Sequence, residues 1–275
     1  MKKMSKYNIL FQKLKEQKKH AFIPFFVIGD PDYQTSLTVV KKAIDSGADA
    51  LELGLAFSDP VADGVVIQAA DKRALDSSIK VDDAFRFIAE IREYANKITS
   101  ECLLPIGLLV YCNLVYKRGV EKFYSDAKKA GVDSILIADM PLEESGLVLD
   151  AAKNNEIDQI FLVTQTSSNE RIKEINKLSF GFIYLVSVLG VTGARTNFSK
   201  DVSAFIKRVK ENSTLPVCVG FGISNKNQVK EVIDAGADGA IVGSAVVKLI
   251  ENNLGNKEKM LVDIESFISE MKKEP

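Results

Sequence analysis

The chain has 275 residues, 46% of them hydrophobic, and 36 Lys and Arg against 37 Asp and Glu leave a formal charge of −1. This balance excludes a disordered composition and offers no basic footprint for nucleic acid. No run of 18 apolar residues is present to span a membrane, and three scattered cysteines, Cys102, Cys112 and Cys218, fit reduced core thiols in a cytoplasmic protein better than a disulfide framework.

The N-terminal stretch MKKMSKYNILFQKLKEQKKH is basic but has neither an arginine nor the small-residue cleavage site of a targeting peptide. Its Tyr7, Leu10, Phe11 and Leu14 fall at i, i+3, i+4 and i+7, which predicts an amphipathic helix closing one end of the fold. Short apolar runs then recur: FIPFFVI (22–28), DALELGL (49–55), LLPIGLLVY (103–111), SILIADM (134–140), DQIFLVTQ (158–165), GFIYLVS (181–187), PVCVGFG (216–222) and GAIVGS (239–244). Segments of helical period such as TSLTVVKKAIDSG and SNKNQVKEVIDAG separate most of them. Near-continuous hydrophobicity within the runs, alternating with helices, predicts parallel strands covered on their outer side. The C-terminal residues Leu261, Ile264, Phe267, Ile268 and Met271 predict a last packed helix.

A weak internal echo marks three junctions. DSGADALELG, KAGVDSILIAD and DAGADGAIVG each place a glycine two residues before an aspartate, giving Gly47 with Asp49, Gly131 with Asp133 and Gly236 with Asp238. The glycines suit a helix C-terminus that needs a left-handed residue. Eight strand-helix units without a linker predict one (β/α)8 TIM barrel domain over residues 1–275, with an extra N-terminal helix. The long interval 56–102 is expected to hold an active-site loop and inserted helices after strand 2. An open doubly wound sheet is the alternative.

In a barrel the loops after the strands carry the chemistry, and glycine-rich junctions follow strands 6, 7 and 8: GVTGAR (190–195), GFGIS (220–224) and GSA (243–245). Gly220 and Gly222 leave room for backbone N–H groups to approach an anion, Ser224 can cap the next helix, and Gly243-Ser244 opens the one after. Together they predict a phosphate site. The Gly-, Ser- and Thr-rich segment 187–199 suits a loop that closes over substrate, and equally an ordinary surface loop.

Strand 2 raises the sharpest question. In Leu51-Glu52-Leu53, strand alternation sends the leucines to one face and Glu52 to the other, inside the barrel. Desolvation there raises its pKa, and none of the eight runs contains a Lys or Arg to pair with it. Asp63, on the following polar loop, is expected to stay ionised through solvent and backbone donors. Two carboxylates in contrasting environments are an acid–base pattern. The single histidine, His20, speaks against a metal centre.

PFFVIGDP (24–31), LELGLAFSDPVADG (51–64), GLLVYCNLVY (107–116), ADMPLEES (138–145), GVTGAR and GFGIS with GSA stand in the order found in the tryptophan synthase α subunit family, which the chain resembles over essentially its whole length. The resemblance implies a lyase that cleaves indole-3-glycerol phosphate to indole and glyceraldehyde 3-phosphate. Glu52 would transfer protons and Asp63 would hold the indole N–H. Phe22, Leu109, Tyr111 and Tyr184 would form the indole pocket, Thr192 would lie in the closing loop, and Gly193, Gly222, Gly243 and Ser244 would hold phosphate. The implied partner is a β subunit carrying pyridoxal phosphate, in an α2β2 assembly, with no cofactor in this chain. Ala56, Val65-Val66 and Gln165 stand where the family tends to have prolines, and Val188-Leu189 where it is smaller or more polar, which implies looser loops. Another phosphosugar isomerase or aldolase, or a subunit that chiefly activates a partner, are the alternatives.

Overall fold

The computed structural model describes residues 4–98, 104–186, 195–220 and 222–273, with the backbone alone for 195–200. Its strands are β1 (Ala21–Val27), β2 (Leu51–Gly54), β3 (Ile106–Val110), β4 (Ser134–Ile137), β5 (Asp158–Ile160), β6 (Leu162–Thr164), β7 (Ile183–Val186), β8 (Val217–Gly220) and β9 (Gly239–Val242). All pairings are parallel, in the order β5-β4-β3-β2-β1-β9-β8-β7-β6. The two ends of that order, β5 and β6, are consecutive in the chain and separated only by Phe161. The run 158–165, expected as one strand, therefore breaks at Phe161 and faces both neighbours. Its first half pairs with β4, its second with β7, and the Tyr184 N–H donates to the Phe161 carbonyl across the join. Eight runs thus close a barrel.

Helices cover it in chain order: α1 (Lys6–Glu16), α2 (Tyr33–Asp45), α3 (Val65–Asp76), α4 (Val81–Ile98), α5 (Cys112–Arg118), α6 (Val120–Ala130), α7 (Gly146–Asn154), α8 (Asn169–Leu178), α9 (Arg195–Asn212), α10 (Lys226–Asp234), α11 (Ser244–Asn252) and α12 (Lys257–Lys272). The interval after β2 holds a loop followed by α3 and α4, as expected. Among the described residues no helix is long and apolar enough to cross a membrane.

Alternation along the strands divides the core in two. Phe22, Phe26, Leu51, Leu53, Leu108 and Val219 join the layer between strands and helices. Ile23, Phe25, Ala50, Leu109, Tyr184 and Cys218 fill the barrel with α1's Tyr7, Phe11 and Leu14. Helix α1 plugs the N-terminal end of the barrel, where Ser134 on β4 donates to the Tyr7 hydroxyl at 3.1 Å. Cys112 is only partly buried, at the start of α5, rather than a core residue, because the chain has already left the strand there.

The internal echo is a repeated clamp. The N–H groups of Asp49, Asp133 and Asp238 donate to the carbonyls of Phe22, Ile106 and Val217, while their carboxylates accept the N–H groups of those same residues at 2.8, 2.9 and 2.7 Å. Each aspartate ties the start of its own strand to the strand before it, and a cation completes each clamp: Lys272 on Asp49, Arg92 and Lys6 on Asp133, Lys210 on Asp238. The preceding Gly47, Gly131 and Gly236 have φ of +96°, +95° and +106°, a backbone that L side chains rarely adopt.

Candidate active site

Glu52 lies inside the barrel and is 6% exposed, while Leu51 and Leu53 turn outward with no exposed surface. Its register neighbours are Phe25 on β1 and Gly107 on β3. A Cβ at Gly107 would lie 2.9 Å from the Tyr7 hydroxyl and from Ser134 Oγ, so the missing side chain makes room for that pair beside Glu52. Burial pushes Glu52 up to about 8; the Tyr184 hydroxyl, donating to Oε2 at a long 3.5 Å, pulls the other way, and the nearby charge of Asp63 adds to the rise. Among the described residues no lysine or arginine contributes to this balance.

Asp63 corrects an expectation. Its carboxylate is not left to solvent and backbone donors: the loop turns back over the end of β3, and the Tyr111 hydroxyl donates to Oδ2 at 2.6 Å. The same phenolic oxygen accepts the Ala62 N–H at 3.1 Å, and the Asp63 N–H closes a turn on the Pro60 carbonyl. Burial raises the Asp63 pKa and the Tyr111 hydrogen bond offsets part of that rise. Tyr111, itself driven upward by burial and by Asp63, stays a donor.

Of the expected pocket residues, Leu109 and Tyr184 face the barrel interior with Glu52, but Phe22 does not. Phe22 belongs to the outer layer, and Phe25, three residues on, takes the inner position opposite Glu52. A period of two along β1 requires this, since residues 21, 23, 25 and 27 share the inner face. A Cβ at Gly54 would lie 2.7 Å from the Phe25 ring, and one at Gly220 would lie 2.4 Å from Tyr184. Gly220, expected to admit an anion, makes room for the Tyr184 ring.

At the same end of the barrel Gly222 is exposed with φ +80°, and Gly243 precedes α11 without a side-chain cap, leaving the first N–H groups of that helix, from Ser244 onward, without carbonyls of its own. Ser224 does not cap α10; Asn225 does, accepting the Gln228 N–H at 3.1 Å. Thr192, Gly193 and Val188-Leu189 lie outside the described residues. At Gln165 the expected looseness is opposed by Arg208, which donates to the carbonyls of Gln165 and Ser167 at 2.9 and 2.7 Å. A cleft of about 630 Å³ lined by Lys6, Lys153, Lys177 and Phe180 sits at the opposite end of the strands, away from these groups. Among the described residues no group of three His, Cys, Asp or Glu is arranged to hold a metal.

Two residues of the site were not anticipated. Phe57 stacks on Tyr111 with centroids 5.0 Å apart and planes at 23°. Asp71, in α3, is 5% exposed and is pushed up to about 8 by burial and the charge of Asp63. The signal for Asp71 was present: it lies on the stripe of Ile67, Ala70 and Ala74, a charge on an apolar face just as Glu52 is a charge between leucines.

The model of the family described as tryptophan synthase alpha chain matches residues 11–275. The alpha chain of Methanothermobacter thermautotrophicus is 49% identical over 252 residues, covering 92% of this chain and 91% of that one, and the Vibrio cholerae chain is 47% identical over 270 residues, covering 98% of each. Among solved structures, the alpha subunit from Legionella pneumophila superposes with a TM-score of 0.88 at 32% identity over 98% of both chains. A chain of the Pyrococcus furiosus tryptophan synthase a2b2 complex does so at 0.83 and 36% identity, covering 91% of this chain and 97% of its own. With the family model spanning nearly the whole sequence and the relatives almost half identical, the chain belongs to the tryptophan synthase alpha chain family.

Proposed function

We propose that this chain is a carbon–carbon lyase that cleaves indole-3-glycerol phosphate to indole and glyceraldehyde 3-phosphate, with Glu52 and Asp63 as its catalytic residues. The observation that carries the reading is a buried carboxyl raised to about 8, beside a second carboxylate held by a phenol. Near neutral pH Glu52 is protonated and can act first as an acid. Its proton goes to indole C3, the ring π electrons form the new C–H bond, and the ring nitrogen becomes cationic. Asp63, accepting the indole N–H, stabilises that charge. Glu52, now ionised, removes the proton of the side-chain hydroxyl next to C3. The O–H electrons form the aldehyde, the carbon–carbon bond breaks, and its electrons return to the ring to restore indole. One group serves both transfers because a pKa near the working pH makes either direction accessible.

Phe25, Leu109 and Tyr184 supply apolar walls for the ring. Gly222, Gly243 and Ser244 are assigned to the phosphate, on the N-terminus of α11, and Thr192 with Gly193 to the closing loop. The partner is the β subunit of the family in an α2β2 assembly, and pyridoxal phosphate is that partner's cofactor. Val61 and Val65, each 80% exposed on either side of Asp63, support a docking face there. The free thiols of Cys112 and Cys218 suit the cytoplasm. The test is indole release: Glu52→Gln and Asp63→Asn should each lower kcat at least about a hundredfold, and a near-wild-type rate in either removes that residue's role.

A further inference from the structure

Asp63 directly precedes Gly64, the residue that opens α3, and the main chain on each side of it is held separately. Its N–H closes the turn on the Pro60 carbonyl at 3.0 Å. On the other side Gln68 supplies both contacts. Its backbone N–H donates to the Gly64 carbonyl at 3.0 Å, the first hydrogen bond of α3, and its side-chain Nε2 donates to the Asp63 carbonyl at 2.7 Å. Among the described residues no backbone N–H reaches the Asp63 carbonyl. The cleavage uses the Asp63 carboxylate and gives Gln68 no part.

Gly64 is a joint that its surroundings do not restrain. It is exposed, and a Cβ on it would meet nothing within 4 Å. Glycine has more backbone freedom than any other residue, so the peptide between Asp63 and Gly64 is the loosest link beside the carboxylate. Its φ of −75° and ψ of 165° are close to those of Ser5 (−67°, 156°) and Ser168 (−70°, 165°), which cap α1 and α8 by accepting the Asn8 and Arg171 N–H groups. A serine would therefore fit at this position and cap α3, whereas glycine leaves the helix without a side-chain cap. The platform on the other side is firm. Ile67, Ala70 and Ala74 of α3 are buried, and Arg73 forks onto the buried Asp30 at 2.6 and 2.9 Å.

We propose that Gln68 is a positioning residue for the cleavage: its side-chain amide latches the Asp63–Gly64 peptide to α3 and so fixes the direction in which Asp63 presents its carboxylate to the ring N–H. This rests on the reading of Asp63 as the acceptor of the indole N–H. With both flanking peptides held, the Cα–Cβ bond of Asp63 has one direction; Tyr111 takes Oδ2 at 2.6 Å, and Oδ1 is the oxygen left for the ring. Without the latch the peptide turns about Gly64 and only Tyr111 sets the carboxylate. A small displacement of the acceptor weakens the stabilisation of the cationic ring as it forms, while the apolar walls and the phosphate site stay in place. The loss therefore falls on kcat rather than KM.

Two substitutions and their combination test this. Gln68→Met keeps the length and helix propensity of the side chain but removes the donor, at an exposed position where folding does not depend on it. Gly64→Ser stiffens the joint in the conformation it already has, by a route that needs no Gln68. In steady-state indole release by the full chain, Gln68→Met should lower kcat at least about threefold with KM changed less than about threefold; the effect lies in the lower part of the range for one hydrogen bond because water competes for an exposed carbonyl. In the Gly64→Ser background the same substitution should cost at most about half as large a factor in kcat, since the stiffened joint no longer relies on the latch. A merely structural role for Gln68 would give no such rescue at temperatures well below unfolding. A smaller fall in kcat, a change that appears in KM instead, or a fall not reduced in the Gly64→Ser background overturns the proposal. Failure of the underlying reading looks different: a wild type that releases no indole, or an Asp63→Asn variant that matches it, removes that reading and the role of Gln68 with it.

Discussion

The Tyr111 hydroxyl donates to Asp63 Oδ2 at 2.6 Å while accepting the Ala62 N–H at 3.1 Å, so one phenol sets both the backbone and the carboxylate of the loop after β2. Residues 48 positions apart in the chain are joined by this contact. Without it, Asp63 would keep the desolvation of its site and lose the donor that favours its charged form.

Tyr111→Phe tests that balance. The ring can still stack on Phe57, but the Asp63 pKa should rise further, because the hydrogen bond that lowers it is gone. The acid limb of kcat for indole release should move to higher pH, and kcat at pH 7 should fall roughly tenfold, the scale of one hydrogen bond to a charged group. A pH profile that superimposes on the wild type would show that Tyr111 does not tune Asp63.

Glu52→Gln should raise stability at alkaline pH. The unfolded carboxyl titrates near its ordinary 4.5 and the folded one near 8, so between these values the native state holds a proton that the unfolded state has released. Stability then falls as pH rises through that window and stays reduced above it. The neutral amide escapes this fall. Urea unfolding at pH 8.5 should show the variant more stable, by several kcal/mol at most, with the difference gone at pH 4. Equal stability at pH 8.5 would mean that the carboxyl is not desolvated in the folded chain.

Gly220→Ala should displace Tyr184. The added Cβ would lie 2.4 Å from both the ring and the hydroxyl of Tyr184, and a buried ring has little room to retreat. A loss of roughly 1–3 kcal/mol in stability is the usual scale of such overpacking, and indole release should fall with it as the Glu52 contact is lost. Gly146→Ala, with nothing within 4 Å, is the control and should be neutral. Matching unfolding curves for the two variants would refute the close packing of Tyr184.

The aspartate clamps should differ in strength by burial. Asp133 and its partner Arg92 have side chains 15% and 11% exposed, whereas Asp238 and Lys210 are 35% and 37% exposed. Asp133→Ala strands a mostly buried guanidinium and an N–H, and should cost roughly 3–5 kcal/mol, while Asp238→Ala should cost about 1–2 kcal/mol. Denaturant titrations of the pair check the order, and a reversed order would break the link between clamp strength and burial.

What local sequence could decide, it decided. Alternation in Leu51-Glu52-Leu53 is a property of three adjacent residues, and it placed Glu52 inside the barrel without knowledge of any neighbour. The same rule assigns Phe25 to the inside and Phe22 to the outside, so the structure overrules a residue carried over by resemblance with information the strand already held. The glycines before Asp49, Asp133 and Asp238 announced helix ends for the same local reason. The environment of Asp63 was another matter. Its burial, its phenolic donor and its nearness to Asp71 depend on which strand end the loop folds over, a contact between segments far apart in sequence. Desolvation and hydrogen bonding, the two effects that set a carboxyl's affinity for its proton, exist only once those segments meet, so the polar look of DPVADG could not reveal them. The sequence by itself determined the barrel and the place of Glu52 in it; only the tertiary structure decided how Asp63 is held.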